Sequence, residues 1–199
     1  GMIEPRMATM LGFLTTDADI APTLLQRALV DAAADTFNAI TVDGETSTND
    51  MVLLLASGES RVHVGENDYR EFVAAVRAVC LELALAIVKG GEGATKLVSI
   101  TVTGARSKAA ARQGARAIAN SPLVKTAIHG GDPNWGRLIA VAGRAGVDFD
   151  LADASVRIGD VVLFRKETVF SDPILLNPNL LISAWSSSNL KILGFVLPG

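Results

Sequence analysis

The chain has 199 residues, of which 49% are hydrophobic and 20% charged, with a formal charge of −3. That length suffices for one sizeable domain with its own core. The mild negative charge gives no reason to expect nucleic acid or an anionic membrane as partner, and the single cysteine, Cys80, excludes an intrachain disulfide and suits a reducing compartment.

The opening stretch "GMIEPRMATML" (1–11) shows no helical or strand period. It also lacks a basic region followed by an apolar one, so no secretory signal is expected. Pro22 followed by Leu24, Leu25, Ala28, Leu29, Ala32 and Phe37 predicts an amphipathic helix with proline in its first turn. A turn at Asp43-Gly44 precedes the apolar run Met51–Ala56, which reads as a buried strand. Asn67-Asp68 can cap a second helix. Its Phe72, Val73, Val76, Val79, Cys80, Leu83 and Ile87 keep the 3.6-residue period up to Gly90-Gly91. "LVSITV" (97–102) is β-branched and predicts a strand. Ser107–Asn120 is alanine-rich and helical, and Ser121-Pro122 resembles the start of another helix. Val147–Leu151 and Val156–Phe164 alternate as strands do. Arg165–Gly199 carries three apolar runs separated by Pro173, Pro178 and Ser186–Ser188, with no steady period. No run of about 18 apolar residues occurs, so no membrane span is expected. Helices and strands are interspersed, and each helix has one apolar stripe. The expected class is α/β, with helices layered on a sheet.

Several residues are candidates for chemistry. Thr9, after the small Ala8, carries a hydroxyl that can attack the preceding carbonyl. Cleavage there would free an α-amine, with a reference pKa of about 7.7–8.0, to serve as base for its own hydroxyl. The alternative reading is an ordinary structural threonine. Glu92 in "GGEGATK" is either a solvated turn residue or a carboxylate for a substrate ammonium. The glycines and Lys96 do not make a phosphate loop, because the spacing fails and a helix precedes the loop. Asp43, Glu45 and Asp50 read as a polar turn before a strand, with an active-site wall as the other reading. Lys108, Arg112 and Arg116, with Arg106 beside them, form a basic helical stripe. It is either a solvated face or an anion site. His63 and His129 have no metal-ligand spacing, and no metal is assigned. Trp135 reads as a packing residue on a turn, with Arg137 paired to a carboxylate. Cys80 reads as core.

"GMIEPRMATML" resembles the self-cleavage segment of the ornithine acetyltransferase / glutamate N-acetyltransferase (ArgJ) family. "TVDGETSTNDMVLLLASG" (41–58), "KGGEGATKLVSITVTGA" (89–105) and "IANSPLVKTAIHGGDPNWGRLIAVAGRAG" (118–146) resemble the same family, in its order. The resemblance covers roughly residues 1–164.

The resemblance implies an acyltransferase of arginine biosynthesis with an αββα-type sandwich, incomplete here. Residues 1–8 would be a leader, 9–164 a β-chain-like catalytic domain, and 165–199 a divergent tail. The precursor would cut itself at Ala8–Thr9. Thr9 would be the nucleophile, passing acetyl from N2-acetyl-L-ornithine to L-glutamate through an acetyl-threonine ester. Some members also accept acetyl-CoA, and no cofactor is implied. Glu92 matches a substrate-contacting glutamate that would hold the substrate's α-ammonium. The implied partners are the two amino-acid substrates and an α chain of the same precursor in an α2β2 assembly, in the cytoplasm. The family's substrate-binding lysine falls just before Gly1, and its oxyanion-hole Thr-Gly pair belongs to the α chain. Two alternatives stand beside this reading: an inactive truncated fragment that only packs or oligomerises, and a self-processing aminopeptidase.

Overall fold

A computed structural model describes residues 2–4, 10–46, 48–165, 168–169 and 189–196, the last two stretches by their backbone. The elements run β1 (Leu11–Thr16), β2 (Asp19–Ile20), α1 (Pro22–Ala34), a short 3-10 turn at Phe37–Ala39, β3 (Met51–Ala56), β4 (His63–Val64), α2 (Tyr69–Lys89), β5 (Leu97–Thr103), α3 (Lys108–Asn120), α4 (Pro122–Gly130), α5 (Trp135–Gly143), β6 (Ser155–Ile158), β7 (Val161–Arg165), β8 (Thr168–Val169) and β9 (Asn189–Val196). They fall into two compact units, residues 1–94 and 95–199.

In the first unit β1 lies parallel to β3, in register from Leu11 opposite Met51 to Thr16 opposite Ala56. Helices α1 and α2 pack on one face of this pair. Ala32, Cys80 and Ala84 are fully buried between them, beside Val76, Phe37, Met10 just ahead of β1 and Leu14 on β1. Small residues at the helix contacts let the backbones approach, and Phe37 fills the space beneath. A second cluster joins Ala18, Ile20, Leu24 and Val64 where β2 pairs with β4. The strand over Leu11–Thr16 was not expected. Gly12 and Leu14 point inward while Leu11 and Phe13 point outward, so apolar residues on both faces hide the period of two. Met51–Ala56 forms the expected strand, but it is not buried on both faces. Met51 and Leu55 are 41% and 56% exposed, beside Leu11 and Phe13 on β1.

In the second unit the sheet order is β5-β9-β6-β7-β8, with β9 parallel to β5 and antiparallel to β6. The aperiodic tail thus supplies a central strand. Helices α3, α4 and α5 bury Ile118, Val124, Leu138 and Val141 against Val156, Ile158, Leu163 and Phe164. Ser107 caps α3 by accepting from the Ala110 amide at 3.1 Å. Gly131 ends α4 with φ 73°, a left-handed conformation suited to glycine. The predicted strand over Val147–Leu151 does not form. Asp150 instead accepts from the Ala152 amide at 2.9 Å and caps a 3-10 turn at Leu151–Asp153, a local bond that competes with a ladder. The predicted strand over Val156–Phe164 is a hairpin, β6 and β7, broken at Gly159-Asp160. Among the described residues no helix is long and apolar enough to cross a membrane.

Candidate active site

Three of the sequence segments that resemble one family meet in the first unit. The Ile3 amide donates to Asp43 Oδ1 at 2.9 Å. The Ile3 carbonyl accepts from the Val42 amide at 2.8 Å and from the Thr41 hydroxyl at 3.3 Å. The Met10 amide donates to Asp50 Oδ1 at 2.8 Å, and the Met51 amide returns a bond to the Met10 carbonyl at 2.9 Å. One register links these contacts. Ile3 and Asp43, Met10 and Asp50, and every β1–β3 pair differ by 40 in sequence. The Asp43–Asp50 segment is the polar stretch before a strand that its composition predicted, and it grips chain on both sides of residues 5–9.

The third segment closes on the same place. A turn carries Glu92, with the Ala94 amide bonded to the Gly91 carbonyl at 3.0 Å. A Cβ on Gly91 would lie 3.0 Å from Val42 Cγ1, so glycine permits the loop to approach the Thr41–Asp43 strip. Glu92 itself is exposed and makes no hydrogen bond or ion pair among the described residues. Its carboxylate is therefore available to an ammonium.

Asp50 is only half satisfied in hydrogen bonding. One carboxylate oxygen holds the Met10 amide, while the other, Oδ2, is buried without a partner among the described residues. A buried, unsatisfied acceptor costs about 1–3 kcal/mol, and more when charged. Asp50 also lines a cavity of about 170 Å³ with Met10, Phe37, Asn38, Met51 and Val52. In the sequence Asp50 belongs to the polar turn 43–50, with nothing local to set it apart. Its signal is the 40-residue separation shared by two backbone anchors, which no local pattern carries.

Thr9 and Ala8, the candidate nucleophile and cleavage partner, lie outside the described residues.

The other candidates contact groups of the chain itself. Cys80 is fully buried in the core, and burial pushes its thiol pKa up. Arg106 pairs with Asp148 at 3.4 Å, while Lys108, Arg112 and Arg116 all have interaction partners. His63 Nδ1 lies 3.2 Å from Asp19 Oδ2, both side chains exposed. Trp135 is not on a turn. It begins α5 and stacks on Phe164 with centroids 5.3 Å apart. Arg137 donates to the Leu123 carbonyl at 2.8 Å and to Thr126 Oγ1 at 3.2 Å, rather than to a carboxylate. It ties α5 to α4. Lys96 Nζ donates to the Ile128 carbonyl at the end of α4, a favourable place for a cation.

An ion-pair cluster lies elsewhere in the unit. Arg27 pairs with Glu66 at 2.6 Å and stacks over the Tyr69 ring, whose hydroxyl donates to Asp31 Oδ2 at 2.6 Å. The hydrogen bond from Arg27 holds the Glu66 carboxyl below its ordinary pKa. These groups fasten the start of α2 to α1.

Comparison with known proteins is consistent across sequence and structure. The model of the ArgJ family matches residues 1–174. The chain is 56% identical to the arginine biosynthesis bifunctional protein ArgJ of Chlorobium chlorochromatii, over 83% of this chain and 39% of that relative. It is 47% identical to the ArgJ of Thermosynechococcus vestitus, over 95% of this chain and 46% of that one. The chain thus spans less than half the length of these curated relatives. A crystal structure of arginine biosynthesis bifunctional protein ArgJ from Bacillus halodurans matches at a TM-score of 0.84 and 37% identity, covering 92% of this chain and 88% of that chain. The α/β class expected from the sequence agrees with that likeness, and the chain belongs to the ArgJ family.

Proposed function

We propose that this chain is the threonine-nucleophile portion of an acetyltransferase of arginine biosynthesis. The convergence of Ile3, Met10, Thr41–Asp50 and the Glu92 loop in one unit carries the reading. The comparisons add support. Relatives named for arginine biosynthesis are more than twice as long, yet the chain in the solved ArgJ structure matches this one over most of both.

The chemistry proceeds in two stages. First, the Thr9 hydroxyl attacks the Ala8 carbonyl carbon. The peptide C–N bond breaks, the Thr9 nitrogen takes the hydroxyl proton, and an ester remains. Water hydrolyses that ester, which releases residues 1–8 and leaves Thr9 with a free α-amine. Second, this amine takes the Thr9 hydroxyl proton as the oxygen attacks the acetyl carbonyl of N2-acetylornithine. The amide C–N bond breaks and ornithine leaves with the proton. The α-amine of glutamate then attacks the acetyl-threonine ester, forming N-acetylglutamate and restoring the hydroxyl. Glu92 holds a substrate ammonium. The α-ammonium expected from the resemblance exists only on glutamate; in N2-acetylornithine the α-nitrogen is acylated, so with that substrate Glu92 meets the side-chain ammonium instead. Acetyl-CoA would enter as a second acetyl donor at the same ester, and no resident cofactor is needed.

In this proposal residues 1–8 are leader and 9–164 the catalytic portion. A preceding α chain of the precursor completes an α2β2 assembly in the cytoplasm and supplies the oxyanion-hole donors. Incubating the purified chain with N2-acetylornithine, then mapping peptides by mass spectrometry, tests the reading. Acetyl on Thr9, absent in Thr9→Ala, supports it. An uncleaved chain that never acquires acetyl, with or without the preceding segment of the precursor, would sink it.

One observation favours a second reading, a fragment that only packs. Leu11 and Phe13 are 58% and 60% exposed on the open sheet face beside Leu55. That reading predicts strong binding of a hydrophobic dye and concentration-dependent association without any cleavage. The self-processing aminopeptidase alternative predicts release of N-terminal residues from short peptides and no acetyl ester.

A further inference from the structure

We infer that Thr41, Val42 and Asp43 form a binding site for a free α-amino acid, and that the chain's own Ile3 occupies it as a tethered stand-in. The Ile3 amide donates to Asp43 Oδ1 at 2.9 Å. The Ile3 carbonyl oxygen accepts from the Val42 amide at 2.8 Å and from the Thr41 hydroxyl at 3.3 Å. The N–Cα–C=O unit of one residue is thus gripped at both ends. Its amide stands for the α-ammonium of an amino acid, and its carbonyl oxygen for one oxygen of the α-carboxylate. The inference uses no step of the proposed acetyl transfer and stands or falls apart from it.

Ordinary strand pairing would meet both groups with main chain. Here the amide meets a carboxylate, and the carbonyl receives a second donor from a hydroxyl. That set suits more charge than a peptide unit carries. An ammonium brings three donors and a full charge where the amide brings one donor. A carboxylate would take the Val42 and Thr41 donors more strongly than a carbonyl does, since charge-assisted bonds are roughly twice as strong as neutral ones. The acceptor is oriented in advance, because Asp43 Oδ1 also takes the Glu45 amide at 2.9 Å. Asp43 Oδ2 has no partner among the described residues. The site lies at the surface, with Asp43 exposed and Ile3, Thr41 and Val42 half-buried. Its back is fixed, since a Cβ on Gly91 would lie 3.0 Å from Val42 Cγ1. An N-acylated amino acid lacks the α-ammonium and should not fit. Glu4, the next residue, is buried, so the strap is held beyond Ile3. A free amino acid must therefore compete with a tethered group at an effective concentration of about millimolar.

The test titrates the isotopically labelled chain with L-isoleucine, which carries both α groups and the occupant's own side chain, and follows the Ile3 and Val42 amides by NMR. Every sample carries Thr9→Ala, so the outcome is separate from that of the cleavage proposal. L-isoleucine should shift the Val42 amide saturably and speed hydrogen exchange of the Ile3 amide. Ile3→Pro has no amide for Asp43 and should tighten binding at least about fivefold, because the competitor is weakened. Ile3→Gly, whose looser backbone holds the strap less well, should change binding in the same direction without a proline. In the Ile3→Pro background, Asp43→Asn keeps an oxygen for the Glu45 amide but should weaken binding about tenfold or more, the loss of a charge-assisted bond. Thr41→Val in the same background should weaken it about threefold or more. N-acetyl-L-isoleucine and L-isoleucinamide, each lacking one α charge, should bind at least about tenfold more weakly than L-isoleucine. No saturable shift in either Ile3 variant, equal binding of the N-acetylated probe, or indifference to Asp43→Asn would each overturn the inference.

Discussion

Gly91→Ala should loosen the Glu92 loop from the Thr41–Asp43 strip, and the structure sets the size of the effect. The new Cβ would lie 3.0 Å from Val42 Cγ1 and 3.3 Å from the Val88 carbonyl oxygen. Carbon–carbon contacts are most favourable near 3.5–4.0 Å, so Val42 must retreat by about half an ångström. Overpacking of this kind costs about 1–3 kcal/mol. Removing a glycine from the unfolded chain offsets about 0.4–1 kcal/mol. The net expectation is destabilisation of about 0.5–2 kcal/mol. Urea unfolding followed by far-UV circular dichroism reads it. With a slope of about 1–3 kcal/mol/M, the midpoint should fall by roughly half a molar. Val42→Ala removes the opposing methyl, so the double variant should recover part of the loss and the two effects should not add. An unchanged or raised midpoint in Gly91→Ala, or strict additivity with Val42→Ala, would refute the close approach.

Phe37→Ala should destabilise the first unit by about 3–5 kcal/mol, because the ring is 1% exposed against Ala32, Val76 and Leu14; a loss under about 1 kcal/mol in the same urea assay would contradict that packing. Leu138→Ala, also 1% exposed, should cost about 2–5 kcal/mol in the second unit, read by thermal unfolding. Cys80 should resist a thiol reagent near neutral pH until the chain unfolds, since burial keeps it out of reach and raises its pKa. Reaction of the folded chain at the rate of free cysteine would argue against this. Glu92→Gln should weaken N2-acetylornithine binding by about ten- to a hundredfold, the worth of a charge-assisted bond, while leaving release of residues 1–8 unaffected. Titration calorimetry checks the first part and intact mass the second.

Elements with a one-sided apolar stripe were legible in the sequence, and so were most of their ends; Asp68 stands at the start of α2, but its side chain accepts from the Gly65 amide at 3.1 Å and does not cap the helix. Pro22 and Ser107 start α1 and α3 where their chemistry places them, and α2 stops at Gly90. What escaped was set by neighbours distant in sequence. Leu11 and Phe13 are apolar yet face outward, so β1 shows no alternation. In α5, Leu138, Val141 and Ala142 keep helical spacing, but nine residues after a proline turn are too short to stand out. Val147–Leu151 failed for the opposite reason: the pattern was present, and the Asp150 side chain captured the backbone locally. β9 pairs parallel with β5 about ninety residues earlier, and its own sequence has no rhythm to announce it.

The candidate site divides along the same line. Segments resembling one family named Glu92, Ala8 and Thr9, and the polar stretch 43–50 read as a turn beside the site. That Ile3 and Met10 are held by this stretch at one shared offset follows only from the parallel pairing of β1 with β3. A side chain whose task is to fix another segment's backbone leaves no local mark. Asp50 looks like any turn aspartate until its partner is known.

Under the proposed function, activity depends on cleavage of the Ala8–Thr9 bond. Intact-mass measurement of the purified chain, alone and together with the proposed α chain, reads that cleavage. A species lighter by residues 1–8, with threonine at its new N-terminus, should appear over time and never in Thr9→Ala. A full-length mass that persists in both preparations, or cleavage that continues in Thr9→Ala, would contradict it.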